Sequence, residues 1–156
     1  MTIFSLLDEA TVFPRLEAEN KQEILDHLIE SLRTTASGDE IKRIRQAVLE
    51  REKIMSTGVG KGLAIPHGKA EGIEGNYAAF AVLKEPVEYN AIDNQPVRIV
   101  FLLVGPQSSN SFHIKMLSRI SRLMNNSDFR ERLLECETAA EIIDVFKQEE
   151  HAYFDS

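Results

Sequence analysis

The spacing of apolar residues changes twice along the chain, and each regime predicts a different kind of element. Ile24, Leu25, Leu28, Ile29 and Leu32 recur at the helical period, and Asn20 followed by Glu23 has the spacing of an N-cap and its reciprocal acid. A first helix is predicted there. Ser37 or Asp39 can cap a second, with Ile41, Ile44, Ala47 and Val48 on its inner face, running towards Lys53 with Arg51 in its last turn. Between Gly58 and Gly105 the period shortens: Leu63–Ile65, Tyr77–Leu83 and Val97–Val104 are apolar, partly β-branched runs bounded by Gly, Pro, Asn or Asp. These are predicted strands. Asp93-Asn94-Gln95-Pro96 separates Val87–Ala91 from Val97, which predicts a hairpin whose first strand is short. After Pro106 there is no further Gly or Pro, and Phe112, Ile114, Leu117, Ile120, Leu123 and Met124 form a helical stripe behind several N-cap candidates from Gln107 to Ser111. Ser127 starts another short helix, and Thr138 with Glu141 has capping-box spacing for a last one carrying Ile142, Ile143, Val145 and Phe146. Two helices, a strand-rich middle and three helices make an α/β layer structure the expected class.

The chain has 156 residues, in the range of a single domain spanning 1–156, where roughly 70% of the unfolded chain's surface is buried on folding. The longest apolar runs, Tyr77–Leu83 and Ile99–Val104, fall far short of the ~20 residues of a membrane helix, so no membrane span is expected. Residues 1–16 include Asp8 and Glu9 and lack the basic start and apolar centre of a signal peptide, which points to a cytoplasmic location. The single cysteine, Cys136, has no intrachain partner and no ligand spacing around it. With 25 acidic against 18 basic side chains the net charge is −7, leaving no overall basic footprint for nucleic acid.

Gly58-Val59-Gly60-Lys61-Gly62 invites a nucleotide reading, yet it fails the spacing of both phosphate-binding motifs. A P-loop needs Ser or Thr after Lys61, and a dinucleotide fingerprint needs Gly where Leu63 stands. A flexible turn is the plainer reading. His67 follows the run Leu63-Ala64-Ile65 and Pro66, with Gly68 behind it, so its ring is expected at a strand's end, where reactive side chains are displayed; a loop His without a role fits the same local pattern. His113 falls in the first turn of the predicted long helix, where free N–H groups favour an anion and disfavour imidazolium. A capping or packing His fits there too. His27 and His151 read as solvent-facing, and Asp93 as a turn residue. Lys115, Arg119 and Arg122 share a helix face, which is a solvated face or a partner-binding strip. No GxSxG, HExxH or CxxC occurs, so hydrolase and metalloenzyme readings drop out, and neither a metal nor a cofactor is expected.

From Arg51-Glu52 through Ser56-Thr57-Gly58-Val59-Gly60 to Ala64-Ile65-Pro66-His67-Gly68, the chain resembles the type-2 enzyme IIA domains of the bacterial phosphoenolpyruvate-dependent phosphotransferase system. The resemblance continues through Ala91-Ile92-Asp93-Asn94-Gln95-Pro96-Val97 into the helix bearing His113. That stretch and the free-standing length look most like the nitrogen-regulatory branch. The resemblance implies a mixed β-sheet flanked by helices on both faces, an α/β/α sandwich. It also implies that His67 accepts a phosphoryl group, by its outer nitrogen Nε2, that His113 and Arg51 line the site, and that Ser56 and Thr57 lie at the phosphate. Two departures are small: Lys61 stands where Asn is common, and Ile114 follows His113 where Leu is usual. Lys61 then either adds charge near the phosphate or points to water. The implied donor is the small carrier HPr or its nitrogen-branch counterpart. Implied acceptors are regulatory target proteins or an enzyme IIB of fructose or mannitol transport; a binding module that has lost phosphotransfer is the alternative of another class. The chemistry of the residues agrees. An imidazole is a nucleophile only when neutral, and an unperturbed pKa near ~6.5 leaves it mostly neutral at pH 7. The group in flight needs positioning and charge stabilisation, and no separate base.

Overall fold

A computed structural model of the chain describes residues 2–154. After two short 3-10 turns the chain forms β1 (Val12–Leu16), α1 (Lys21–Ser31) and α2 (Gly38–Ile54). Strands β2 (Gly58–Gly60), β3 (Leu63–Ala64), β4 (His67–Ala70), β5 (Tyr77–Val87) and β6 (Val97–Pro106) follow, then helices α3 (Asn110–Met124), α4 (Ser127–Glu135) and α5 (Ala139–Phe154). The caps anticipated from sequence form. Asn20 Oδ1 accepts the Glu23 N–H at the start of α1, Ser37 and Glu40 make a reciprocal box on α2, and Thr138 Oγ1 accepts the Glu141 N–H on α5.

The six described strands form one mixed sheet in the order β1-β5-β6-β3-β2, with β4 also paired to β6. β5 and β6 are an antiparallel hairpin, while β1 runs parallel to β5, and β3 and β4 run parallel to β6. Alternation along the two central strands serves two cores. Ala79, Ala81, Leu83, Val100, Leu102 and Val104 face α1 and α2; Phe80, Val82, Ile99, Phe101 and Leu103 face α3–α5. Both faces are covered by helices, as the resemblance implied.

Three differences from the sequence reading have physical causes. Val87–Ala91 is not a separate strand: β5 runs unbroken to Val87 across a register shift, and the chain then loops through Tyr89. The strands β1, β2 and β4 carry no strong local signal, because Pro14, the glycines and the polar residues of His67-Gly68-Lys69-Ala70 are poor strand formers. They become strands through pairing with β5, β3 and β6. The Gly58–Gly62 segment is consequently a tight β2–β3 hairpin turn, with Lys61 at φ +59° and its N–H held by Asp93 Oδ2 at 3.1 Å.

Candidate functional site

The site forms where α2, β4 and the start of α3 meet at the carboxyl end of β6. β4 stops Ile65-Pro66 from continuing β3 in line: Pro66 O accepts the Leu103 N–H at 3.1 Å, and His67 then opens β4 opposite Leu103. His67 therefore begins a strand where the sequence suggested that it ends one. Next to it, Gly68 lets α2 settle against the strand. A Cβ there would stand 3.1 Å from the backbone of Ala47 and Val48, so any larger residue would push the helix off. Because α2 lies that close, Arg51 in its last turn reaches the same cleft as His67. This cleft, of about 450 Å³, is also lined by Arg43, Lys69 and Gln107. Arg51 is held by a bond from its guanidinium to Met55 O at 2.8 Å.

His67 is half-buried, and its Nδ1 lies 2.8 Å from Ile65 O. A carbonyl oxygen accepts only, so the neutral ring donates from Nδ1–H and its lone pair sits on Nε2. Burial lowers the His67 pKa, with Arg51 and Lys69 pushing the same way, while the Ile65 carbonyl and Glu52 oppose them. The net effect favours the neutral nucleophile. His113, from the first turns of α3, has its ring centroid 5.8 Å from that of His67. It is only 3% exposed, and neither ring nitrogen has a hydrogen-bond partner among the described residues. Its pKa falls to about 4, first through burial and then through the neighbouring His67 and Lys69. A neutral imidazole with an unused N–H is what remains. The two histidines and Arg51, 62 positions apart at their extremes, are thus brought together as the family resemblance implied.

Ser56 and Thr57 are placed differently from each other and from a direct phosphate contact. Ser56 Oγ donates to Tyr89 O at 3.1 Å and accepts the Gly58 N–H. Thr57 is buried, and its hydroxyl is taken up by the Glu52 carboxylate and the Tyr89 hydroxyl. Lys61 neither faces the cleft nor dangles in water: its Nζ donates to Asn125 Oδ1 at 2.7 Å, at the end of α3 remote from His113. Ile114 is exposed. The outlying histidines stay outside the cleft, His27 edge-on to Phe13 and His151 near Phe4. Arg119 is not a solvated member of a strip, since it pairs with the buried Glu150 at 3.3 Å.

Sequence reasoning missed Lys69 and Glu52. Lys69 donates to Asn110 at the start of α3, tying β4 to the helix of His113. Its alternation with His67 on a strand was invisible because that strand itself was. Among the described residues no group of His, Cys, Asp and Glu is arranged to hold a metal ion.

The family model described as "Phosphoenolpyruvate-dependent sugar phosphotransferase system, EIIA 2" matches residues 5–149. A nitrogen regulatory protein of Bradyrhizobium diazoefficiens is 34% identical over 145 residues, covering 93% of this chain and 94% of its own. The fructose-specific EIIABC component of the Bacillus subtilis phosphotransferase system is 33% identical over 148 residues, and the chain spans 23% of that protein's length. Among solved structures, nitrogen regulatory protein IIA-Ntr from Neisseria meningitidis superposes with a TM-score of 0.84 at 27% identity, over 92% of this chain and 98% of that one.

Proposed function

We propose that this chain, which belongs to the type-2 enzyme IIA family of the phosphoenolpyruvate-dependent sugar phosphotransferase system, carries a phosphoryl group on His67 Nε2 in a nitrogen-regulatory branch. The observation that carries the reading is the state of the two rings: His67 has Nδ1 tied to a carbonyl and Nε2 free, and the buried His113 faces it with both nitrogens unpartnered. The donor is a phosphohistidine of HPr or of a nitrogen-branch counterpart. As the Nε2–P bond forms, the donor's P–N bond breaks and its imidazole keeps the electron pair. The positive charge then shared over the His67 ring is stabilised through Nδ1–H on Ile65 O. His113 donates to an equatorial phosphoryl oxygen, and Arg51 supplies charge from α2. Ser56 and Thr57 act at one remove, by fixing the loop between Arg51 and β2. The group is then passed to another protein.

The regulatory branch is supported by the nitrogen regulatory relatives and by the fit to IIA-Ntr. In that reading the two phosphorylation states bind different target proteins. A sugar-transport role, with an enzyme IIB as acceptor, is supported by 33% identity to the fructose-specific relative. No helix among the described residues is long and apolar enough to cross a membrane, and membership of the phosphotransferase family supports a cytoplasmic location. The test is intact-mass analysis after incubation with phosphoenolpyruvate, enzyme I and HPr. Wild type is expected to gain one acid-labile phosphoryl group and His67→Ala none. No gain in wild type beside an active control enzyme IIA would sink the carrier reading; label moving on to a purified enzyme IIB would favour the sugar branch.

A further inference from the structure

The residue after Arg51 is a buried carboxylate that the transfer chemistry leaves unused. Glu52 is 8% exposed, and its oxygens take the Thr57 N–H at 2.8 Å, the Thr57 hydroxyl and the Tyr89 hydroxyl at 3.3 Å, with Lys21 Nζ at 2.7 Å as counter-charge. Lys21 also lies 4.6 Å above the Tyr89 ring. A carboxylate out of water needs such partners, and these four satisfy it while gripping one peptide, that of Thr57. On its other side the same residue continues the path. Thr57 O accepts the Ile65 N–H at 2.9 Å, and Ile65 O accepts from His67 Nδ1 at 2.8 Å.

We propose that Glu52 is the positioning residue for His67, acting through Thr57 and Ile65 to aim the Ile65 carbonyl at Nδ1. The proton is thereby kept on Nδ1 and the lone pair on Nε2. Each link is a hydrogen bond between groups held by the backbone, so the carbonyl has little freedom to turn away. The far side of the Ile65-Pro66 segment is pinned independently by the bond between Pro66 O and the Leu103 N–H, which leaves the Thr57 contact as the adjustable end. Tautomer choice in a neutral imidazole follows the hydrogen bond made by one of its nitrogens. Loosening the Thr57 peptide therefore releases the Nε2–H tautomer, in which the outer nitrogen has no lone pair for phosphorus.

The inference rests on the phosphocarrier reading for its consequence but is tested without it. Two-bond proton–nitrogen correlation spectra of 15N-histidine-labelled, unphosphorylated protein report which His67 nitrogen holds the proton. In wild type it is Nδ1. In Glu52→Gln, which keeps the size of the side chain but loses its charge and one acceptor, a substantial Nε2–H population is expected, with initial phosphoryl uptake down about tenfold. Thr57→Val, which removes only the hydroxyl link, is expected to shift both in the same direction by less. Melting temperatures measured alongside separate aiming from general loosening. Wild-type tautomer and uptake in both variants overturn the proposal; if Glu52→Gln does not fold, Thr57→Val alone decides in the same way. Failure of wild type to take up phosphoryl would count against the carrier function, whereas the tautomer spectra would still test the relay.

Discussion

On the face covered by α1 and α2, the central strand β5 presents Ala79 and Ala81; on the face covered by α3–α5, β5 and β6 present Phe80 and Phe101. The aromatic side closes into a cluster in which Phe146 meets Phe80, Phe101 and Phe129 edge-to-face at centroid distances of 5.1 to 5.8 Å. Such pairs add to the burial of large side chains. The small residues on the other face allow the helices to approach closely, and its buried polar cluster is Glu52, Thr57 and the Tyr89 hydroxyl, whereas the aromatic side buries Glu150 against the Ile3 and Phe4 N–H groups and Arg119. Arg51 comes from the side of small residues, whereas His67, in register with Leu103, points with His113 to the aromatic one. The lesson is a division of labour across one sheet. The aromatic face carries the two histidines, and the face of small residues supplies Arg51 and the buried Glu52 that grips Thr57.

The strongest way to break this contrast is Phe146→Ala. Removing a ring that is fully buried among three others is expected to cost about 3–5 kcal/mol by chemical denaturation, while phosphoryl uptake per folded molecule stays at the wild-type rate. A fall in uptake among folded molecules would show that the aromatic cluster also shapes the site. Gly68→Ala tests the opposite face. Its Cβ would press on the Ala47–Val48 backbone, which has no flexible end to yield, so a loss of about 1–3 kcal/mol is expected together with slower uptake as Arg51 retreats. Unchanged uptake would mean that the approach of α2 does not place Arg51.

The smallest effect is a pH dependence at the seam between the faces. His113 has a folded pKa of about 4 against an ordinary 6.5, so in this interval the unfolded chain binds the proton that the folded chain refuses. Stability from this group is complete above pH 6.5 and is lost as the pH falls towards 4. Denaturation midpoints at pH 7.5 and 4.5 should therefore separate more for wild type than for His113→Gln. Equal separations would show that His113 does not titrate as a buried group.

Much of the helical scaffold was legible because caps and amphipathic stripes are local: Asn20, Ser37 and Thr138 each act within three residues of themselves. The strands Tyr77–Leu83 and Val97–Val104 were legible for the opposite reason, being so continuously apolar that only burial on both sides suits them. His67, His113 and Arg51 stood out through their punctuation and through the family signature. Thr57 read as a phosphate neighbour because a motif records which residue is present and not where its hydroxyl points.

What the sequence by itself determined is the set of elements whose causes lie within a turn or a pleat, together with the chemical types needed for phosphoryl transfer. Only the tertiary structure decided that His67-Gly68-Lys69-Ala70 is a strand, that His67 and His113 stand ring to ring, and that Glu52 is a buried anchor and not a surface acid. Those outcomes depend on partners as distant as Leu103 for His67 and Tyr89 for Glu52. Pairing energies between segments so far apart exist only once the chain has closed the loops between them, and so they leave no periodic trace in either segment alone.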